Sequence, residues 1–260
     1  MIRKPSLILF CLFFLFGCFT IYAISKRQTK TVMKSKQTRI LPTLTNHPDP
    51  SRKCTYKEKE YAYEYFMVDT ITSLSLIPNF EQRKPFSEWM DTARCTAAIN
   101  GGYYDTDDKP LGAFTGNGTV LKKPVTNRLI DGYISTTRSQ AAIGLSPLPN
   151  PFILLQSGPL LYLDGKPLSL KIISDEPARR SVGMLTDDGI LIFMVMYDPA
   201  SVYFGPNLAD LPAIISIIKE QEGLIIQSAI NLDGGNASAF KNERLTLTEL
   251  THVGSMFCLQ

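Results

Sequence analysis

Histidine is nearly missing from this chain of 260 residues: only His47 and His252 occur. A Ser-His-Asp or Cys-His nucleophile system would have to use His252, and no G-x-S-x-G elbow accompanies it. There is no H-E-x-x-H, no paired C-x-x-C and no Walker loop, which argues against zinc and nucleoside triphosphates. Acid, base and charge-stabilising work is left to carboxylates, arginine, lysine, tyrosine and main-chain amides. The body of the chain also lacks a basic stripe. Residues 1 to 39 hold eight Lys and Arg and no acid, so a formal charge of +3 leaves −5 on the remainder. A mildly acidic body has no surface for neutralising nucleic-acid phosphates, and no nucleic-acid partner is expected. At 44% hydrophobic and 20% charged, the composition suits a globular protein with a sizeable core.

The N-terminus reads as an export signal or membrane anchor over residues 1–25. "MIRK" is a basic start, and Ser6 to Ser25 is an uncharged, largely apolar stretch of 20 residues, long enough to span a bilayer if uncleaved. "LFGC" (Leu15 to Cys18) resembles a lipoprotein box with a bulky Phe16, and Ala23 offers a cleavage site with Ile21 at its flank. Cleaved signal, lipoprotein and uncleaved anchor all stay open. Six basic residues after the span against two before it run counter to the positive-inside rule. Residues 26–53 read as a flexible basic linker rich in Lys, Thr, Ser, Gln and Pro, with His47 inside it. The expectation is an exported, periplasmic or extracytoplasmic protein whose N-terminal segment meets the membrane.

Residues 54–260 form one domain-sized unit. "EYAYEYFMV", "TAAIN", "QAAIGL", "FILLQSGPLLYL", "RRSVGML", "GILIFMVMY", "LIIQSAIN" and "HVGSMFCL" read as strands bounded by turn residues. "KPFSEWMDTARC" and "DLPAIISIIKEQEG" read as helices, the second capped by Asp210, carrying Pro212 in its first turn and stopped by Gly223. Strands outnumber helices without alternating with them, so the fold class is α+β, a single domain with a mixed sheet and a few packed helices. Twice an apolar strand ends in a polar residue and two glycines, at "AINGG" and "AINLDGG". Glycine pairs let a ligand approach the main chain, and strands lying side by side would bring Asn100 and Asp233 to one rim.

Four blocks carry a resemblance: "INGGYYD" (99–105), "QSGPLLYLDG" (156–165), "RRSVGML" (179–185) and "INLDGGNASAF" (230–240). In this order and spacing the chain resembles the phosphodiester glycosidase family, many of whose bacterial members are exported proteins linked to exopolysaccharide. The family usually carries a third glycine and two serines after "LDGG", where this chain has Asn236 and Ala237 before Ser238. Spacing to Gly183 matches the family's arginine to Arg179, although Arg180 is the neighbour on the opposite strand face.

The resemblance implies a hydrolase that cleaves the glycosidic bond of a sugar 1-phosphodiester in a glycan, glycolipid or envelope polymer. Ordinary glycosidases use two carboxylates, one to protonate a poor leaving group. Here the leaving group is a phosphate monoester with a remaining pKa of about 6, so one carboxylate and one phosphate-binding arginine suffice. Asp233, Arg179 and Asn100 are the catalytic candidates. Gly101, Gly102, Ser157, Gly158, Asn231, Gly234, Gly235 and Ser238 are the substrate-binding candidates, their amides cradling the anion. The alternative is a non-catalytic glycan-binding protein on the same scaffold, assisting polymer export. Tyr103 and Tyr104 read as core aromatics, one of which could line a sugar subsite. No cofactor or metal is expected, with a structural calcium near Asp105 to Asp108 as the alternative. Export permits one disulfide among Cys54, Cys95 and Cys258. Cys54 and Cys258 flank the two ends of the domain and are the expected pair, with Cys95 left as a buried thiol.

Overall fold

The computed structural model describes residues 52–260. The expected signal or anchor, His47 and nearly all of the linker lie outside the described residues. Among the described residues no helix is long and apolar enough to cross a membrane.

Three sheets share one central core. The first has seven strands in the order β1 (Lys53–Tyr56), β2 (Lys59–Val68), β13 (Leu191–Tyr197), β12 (Arg180–Thr186), β14 (Ile226–Asn231), β10 (Leu160–Leu163) and β11 (Lys166–Pro167). The second runs β16 (Thr246–Leu247), β15 (Phe240–Lys241), β4 (Ala97–Asn100), β17 (Ser255–Leu259) and β3 (Leu74–Pro78). The third runs β6 (Thr119–Lys122), β5 (Phe114–Gly116), β9 (Ile153–Ser157), β7 (Gly132–Thr136) and β8 (Ala141–Gly144). The α+β reading holds in a strand-rich form with few helices. The single mixed sheet does not: every pairing within these three sheets is antiparallel. Connections without intervening helices permit antiparallel neighbours, whereas parallel ones need long crossovers.

Strand β13 shows why its sequence is a continuous apolar run. Leu191, Phe193, Val195 and Tyr197 face the central core, while Ile192, Met194 and Met196 face a second cluster under helix α2 (Leu211–Glu222). A strand covered on both faces has no polar alternation. Helix α2 lays Leu211, Ile214, Ile215 and Ile218 on that cluster and stops at Gly223, whose φ of 67° is left-handed. Asp210 occupies the position before the helix, but its carboxylate binds Lys57 at 2.9 Å and caps no helical amide. Helix α1 (Phe86–Ala93) packs Phe86 and Met90 on the outer face of the second sheet. The long run from Phe152 to Leu163 is two strands in two sheets: it breaks at Gly158–Pro159, a cis peptide, where proline has no N–H for a ladder.

The disulfide joins Cys95 to Cys258, with Cα atoms 5.4 Å apart. The expected Cys54–Cys258 pair is wrong because the domain's two ends enter different sheets. Cys258 lies within the second sheet and packs toward α1, whereas Cys54 sits on an edge strand under α2. Burial, with Glu60 nearby, pushes the Cys54 thiol up to about 11. Alkylation of denatured, unreduced protein should therefore label Cys54 and leave Cys95 and Cys258 unlabelled. Cys258→Ser should lower unfolding free energy by about 2–5 kcal/mol, since the bridge closes a long loop. Chemical denaturation measures that loss, and labelling of Cys258 would contradict the pairing.

Candidate active site

Strands β4 and β14 lie in different sheets, so Asn100 and Asp233 do not come from side-by-side strands. They meet where the strand ends converge. Asn100 Nδ2 donates to the Asp233 carbonyl at 2.7 Å and to the Gly101 carbonyl at 3.1 Å. Its Oδ1 accepts from Ser181 Oγ at 2.6 Å and from the Ala239 amide at 3.1 Å. The Asp233 amide in turn donates to the Gly101 carbonyl at 3.0 Å. All four valences of this buried carboxamide are filled within the protein. Asn100 is therefore a positioning residue, which clamps the "NGG" turn to the "DGG" turn.

Arg179 is fully buried. Its guanidinium donates to Ser238 Oγ at 3.1 Å, to the Val202 carbonyl at 3.2 Å and to the Thr248 carbonyl at 2.6 Å, and also to the Ser238 carbonyl. Burial lowers its pKa to about 10, with Tyr203 and Glu249 opposing. A guanidinium so committed braces three segments of the chain and has no free fork. Arg180 is the residue on the opposite face of the strand start. Its Nε donates to the Pro206 carbonyl at 3.0 Å and its Nη2 to the Glu176 carbonyl at 2.6 Å and to Asp175 Oδ1, an ion pair, at 3.4 Å, while Nη1 bonds no described residue. A side chain at Gly234 would lie 3.9 Å from that Nη1 and 2.9 Å from the Arg179 carbonyl. The glycine thus lets the loop rest on the strand with Arg180 alongside.

Asp233 keeps some solvent surface but is packed closely enough that burial raises its pKa to about 7. The Gly234 amide, donating to Oδ1 at 2.8 Å, opposes that rise. Tyr103 belongs to the same neighbourhood. Its hydroxyl donates to the Gly158 carbonyl at 3.0 Å and accepts from Asn231 Nδ2 at 2.6 Å. Burial first, then the Asp233 charge, push its pKa up, while Arg180 pulls it down. Asn231 also holds the Leu232 carbonyl at 2.7 Å, and its buried Oδ1 has no hydrogen-bond partner among the described residues.

The remaining candidates are mostly supports. Ser157 is buried and donates to the Asn231 carbonyl at 2.8 Å, and Ser238 is held by Arg179 and Ser181. Neither reaches solvent. Gly101 and Gly102 are buried against Ser255 and Leu155, and Gly158 packs on the Leu129–Asp131 backbone. Only Asp233, Gly234 and Gly235 among the expected residues retain surface. Arg180 and Tyr103 join them. The signal for Arg180 was strand alternation, which places neighbours on opposite faces without saying which faces the ligand, whereas Tyr103 lies past the end of β4. In the Asp105–Asp108 loop, Asp105 caps the amides of Asp107 and Lys109, and Asp108 binds His252 and Arg83.

The model of the phosphodiester glycosidase family matches residues 93–257. No curated protein matches significantly. Among solved structures, the chain is similar to the zebrafish N-acetylglucosamine-1-phosphodiester alpha-N-acetylglucosaminidase catalytic domain auto-inhibited by its pro-peptide. That match has a TM-score of 0.62 at 16% identity and covers 80% of this chain and 81% of that one. A hypothetical protein from Synechocystis gives 0.60 at 15%, covering 80% of this chain and 60% of that one. A putative exported protein from Burkholderia pseudomallei gives 0.53 at 11%, covering 77% and 74%. At these identities the likeness is one of fold.

A carboxyl raised to about 7 makes a definite contribution to stability. The unfolded chain releases this proton near pH 4, the folded one only near 7, so stability falls as pH rises through that window and stays lower above it. Asp233→Asn keeps an oxygen for the Gly234 amide and removes the charge. It should stabilise the protein at pH 8 by on the order of 1–3 kcal/mol, discounted for partial exposure, and not at pH 4. Thermal melts at the two pH values measure this. Equal effects at both would show that the carboxyl is not desolvated.

Proposed function

Because the chain belongs to the phosphodiester glycosidase family, we propose that it hydrolyses a sugar 1-phosphodiester in a glycan, glycolipid or envelope polymer by attack at the anomeric carbon. The observation that carries this reading is Asp233, with its pKa raised to about 7, on a glycine-opened loop beside the open Nη1 of Arg180. Asp233 takes a proton from water as the water oxygen bonds to the anomeric carbon. The bond from that carbon to the phosphate oxygen breaks, and the electron pair leaves with the phosphate monoester. With a second pKa of about 6, that group departs without a strong acid. Arg180 meets the phosphate through Nη1, and the Gly234 and Gly235 turn brings main chain close to the anion. Asn100, Arg179, Ser181 and Ser238 hold this set in place without touching substrate. The Cys95–Cys258 disulfide supports an exported, extracytoplasmic location, with the N-terminal segment at the membrane.

The bond broken is the test. In oxygen-18 water with a chromogenic sugar 1-phosphodiester, label should enter the free sugar and the phosphate monoester should stay unlabelled. Label in the phosphate would mean attack at phosphorus, which ordinarily calls on metal ions or a strong nucleophile. Binding without turnover would favour a glycan-binding protein.

The two arginines separate on different readouts. Arg180→Lys should raise KM and lower kcat, with a smaller loss of stability than Arg179→Lys, because an ammonium cannot hold the Pro206 and Glu176 carbonyls and also present a donor to the phosphate. Arg179→Lys should instead destabilise the fold by more than about 2 kcal/mol, leaving buried carbonyls unpaired. A stable Arg179→Lys with impaired phosphate binding would reverse the assignment.

A further inference from the structure

A hollow lies beside the Asp105–Asp108 loop. Its volume is about 480 Å³, and Pro78, Phe80, Gln82, Arg83, Lys109 and Leu121 contribute to its lining. That volume falls within the range of small-molecule sites. The walls are held rigidly. Asn79 fixes the Phe80–Gln82 turn by donating to the Lys84 and Val253 carbonyls while accepting from the Lys84 amide and the Trp89 indole. Asp105 fixes the opposite turn, and Lys122 Nζ holds the Pro110 carbonyl at 2.6 Å. Asp108 ties the two walls together through Arg83 on one side and His252, at 2.8 Å, on the other. Arg83 and Asp108 adopt left-handed φ values of 49° and 57°, a strained conformation for side chains of their kind.

The lining also has open valences. Gln82 and Lys109, with Glu81 and Asp107 beside them in the lining, are exposed, and their side chains form no hydrogen bond or ion pair with a described residue. Phe80 and Pro110 are the buried apolar part of the lining, and Pro78 and Leu121 add exposed apolar surface. Arg83 and Asp108 neutralise each other, so two free carboxylates stand against one free ammonium. That balance disfavours phosphate or an acidic polymer. A lining that mixes donors and acceptors with apolar surface matches the hydroxyl rim and C–H face of a neutral sugar ring.

Packed side chains lie between the hollow and the candidate active site. Gly254 lies between Phe80 and Tyr104: a side chain there would meet Tyr104 at 2.6 Å and Phe80 at 3.0 Å. Tyr104 packs its ring 5.1 Å from the His252 ring and donates its hydroxyl to the His252 carbonyl at 2.8 Å. Its pKa is raised by burial and also by both Asp233 and Asp108, so it lies within electrostatic reach of each. We propose that this hollow is a neutral-sugar subsite, which seats a further ring of a substrate longer than one sugar. Its place in substrate recognition rests on the proposed glycosidase reaction, but the binding itself does not.

Binding is measured with unphosphorylated trisaccharides of glucose, N-acetylglucosamine, mannose and galactose, by calorimetry on the Asp233→Asn protein. At least one should bind, and the double variant Gln82→Ala/Lys109→Ala should weaken it about tenfold or more with an unchanged melting temperature. No binding by any of the four, or binding indifferent to the double variant, overturns the subsite. On the otherwise native enzyme, the double variant should lower kcat/KM for a trisaccharyl phosphodiester and leave the monosaccharyl one unchanged. Equal loss on both substrates also overturns it. Absence of turnover on both would count against the reaction and leave the calorimetry to decide the subsite.

Discussion

The candidate site depends on one buried carboxamide, Asn100, which fills all four of its hydrogen-bonding positions across the junction of two sheets. Two donors hold main-chain oxygens of the "NGG" and "DGG" turns, and two acceptor positions take Ser181 and the amide of Ala239. Burying a carboxamide is costly unless every valence is met, so this network tolerates few alternative arrangements. Arg179 continues it on the other side of Ser238, reaching three separate segments at Ser238, Val202 and Thr248. Together these two side chains fix the turn that carries Asp233 against strand β12, whose first residue is Arg180.

That frame accounts for the tension at Asp233. The carboxyl is packed where ionisation is disfavoured, with a single amide from Gly234 in opposition. Nothing in local stability requires an acid there, since an asparagine would keep the amide bond without the desolvation cost. A carboxyl that costs stability, on a loop that keeps some solvent surface, is typical of sites selected for chemistry. The neighbouring phenol of Tyr103 is held in its neutral form by the same surroundings and is oriented by Asn231 and Gly158.

Much of the frame was legible in sequence, and most of what was missed concerns direction. The apolar runs of β2, β12, β13 and β14 and both helices stood out because they are long and bounded by turn residues. Strands β5, β15 and β16 have two or three residues each and offer no periodicity to read. The paired glycines and Asp233 marked the loops, but whether Asn100 faced a ligand or the interior was set by a sheet junction that no local pattern encodes. The same holds for Arg179 and Arg180, where alternation gives two faces and only the surrounding loops decide between them. Closeness of the domain's ends points to Cys54 and Cys258, whereas sheet membership pairs Cys95 with Cys258.

The central claim is that a fully bonded polar frame holds one carboxyl in a desolvated, partly protonated state at neutral pH. Carbon-13 NMR titration of the Asp233 side chain in the intact protein tests it most directly. The expected midpoint is near pH 7, moving down toward the ordinary carboxylate range when Asn100→Ala loosens the turn. A midpoint near 4 in the wild-type protein, the value of an unperturbed aspartate, would contradict the claim.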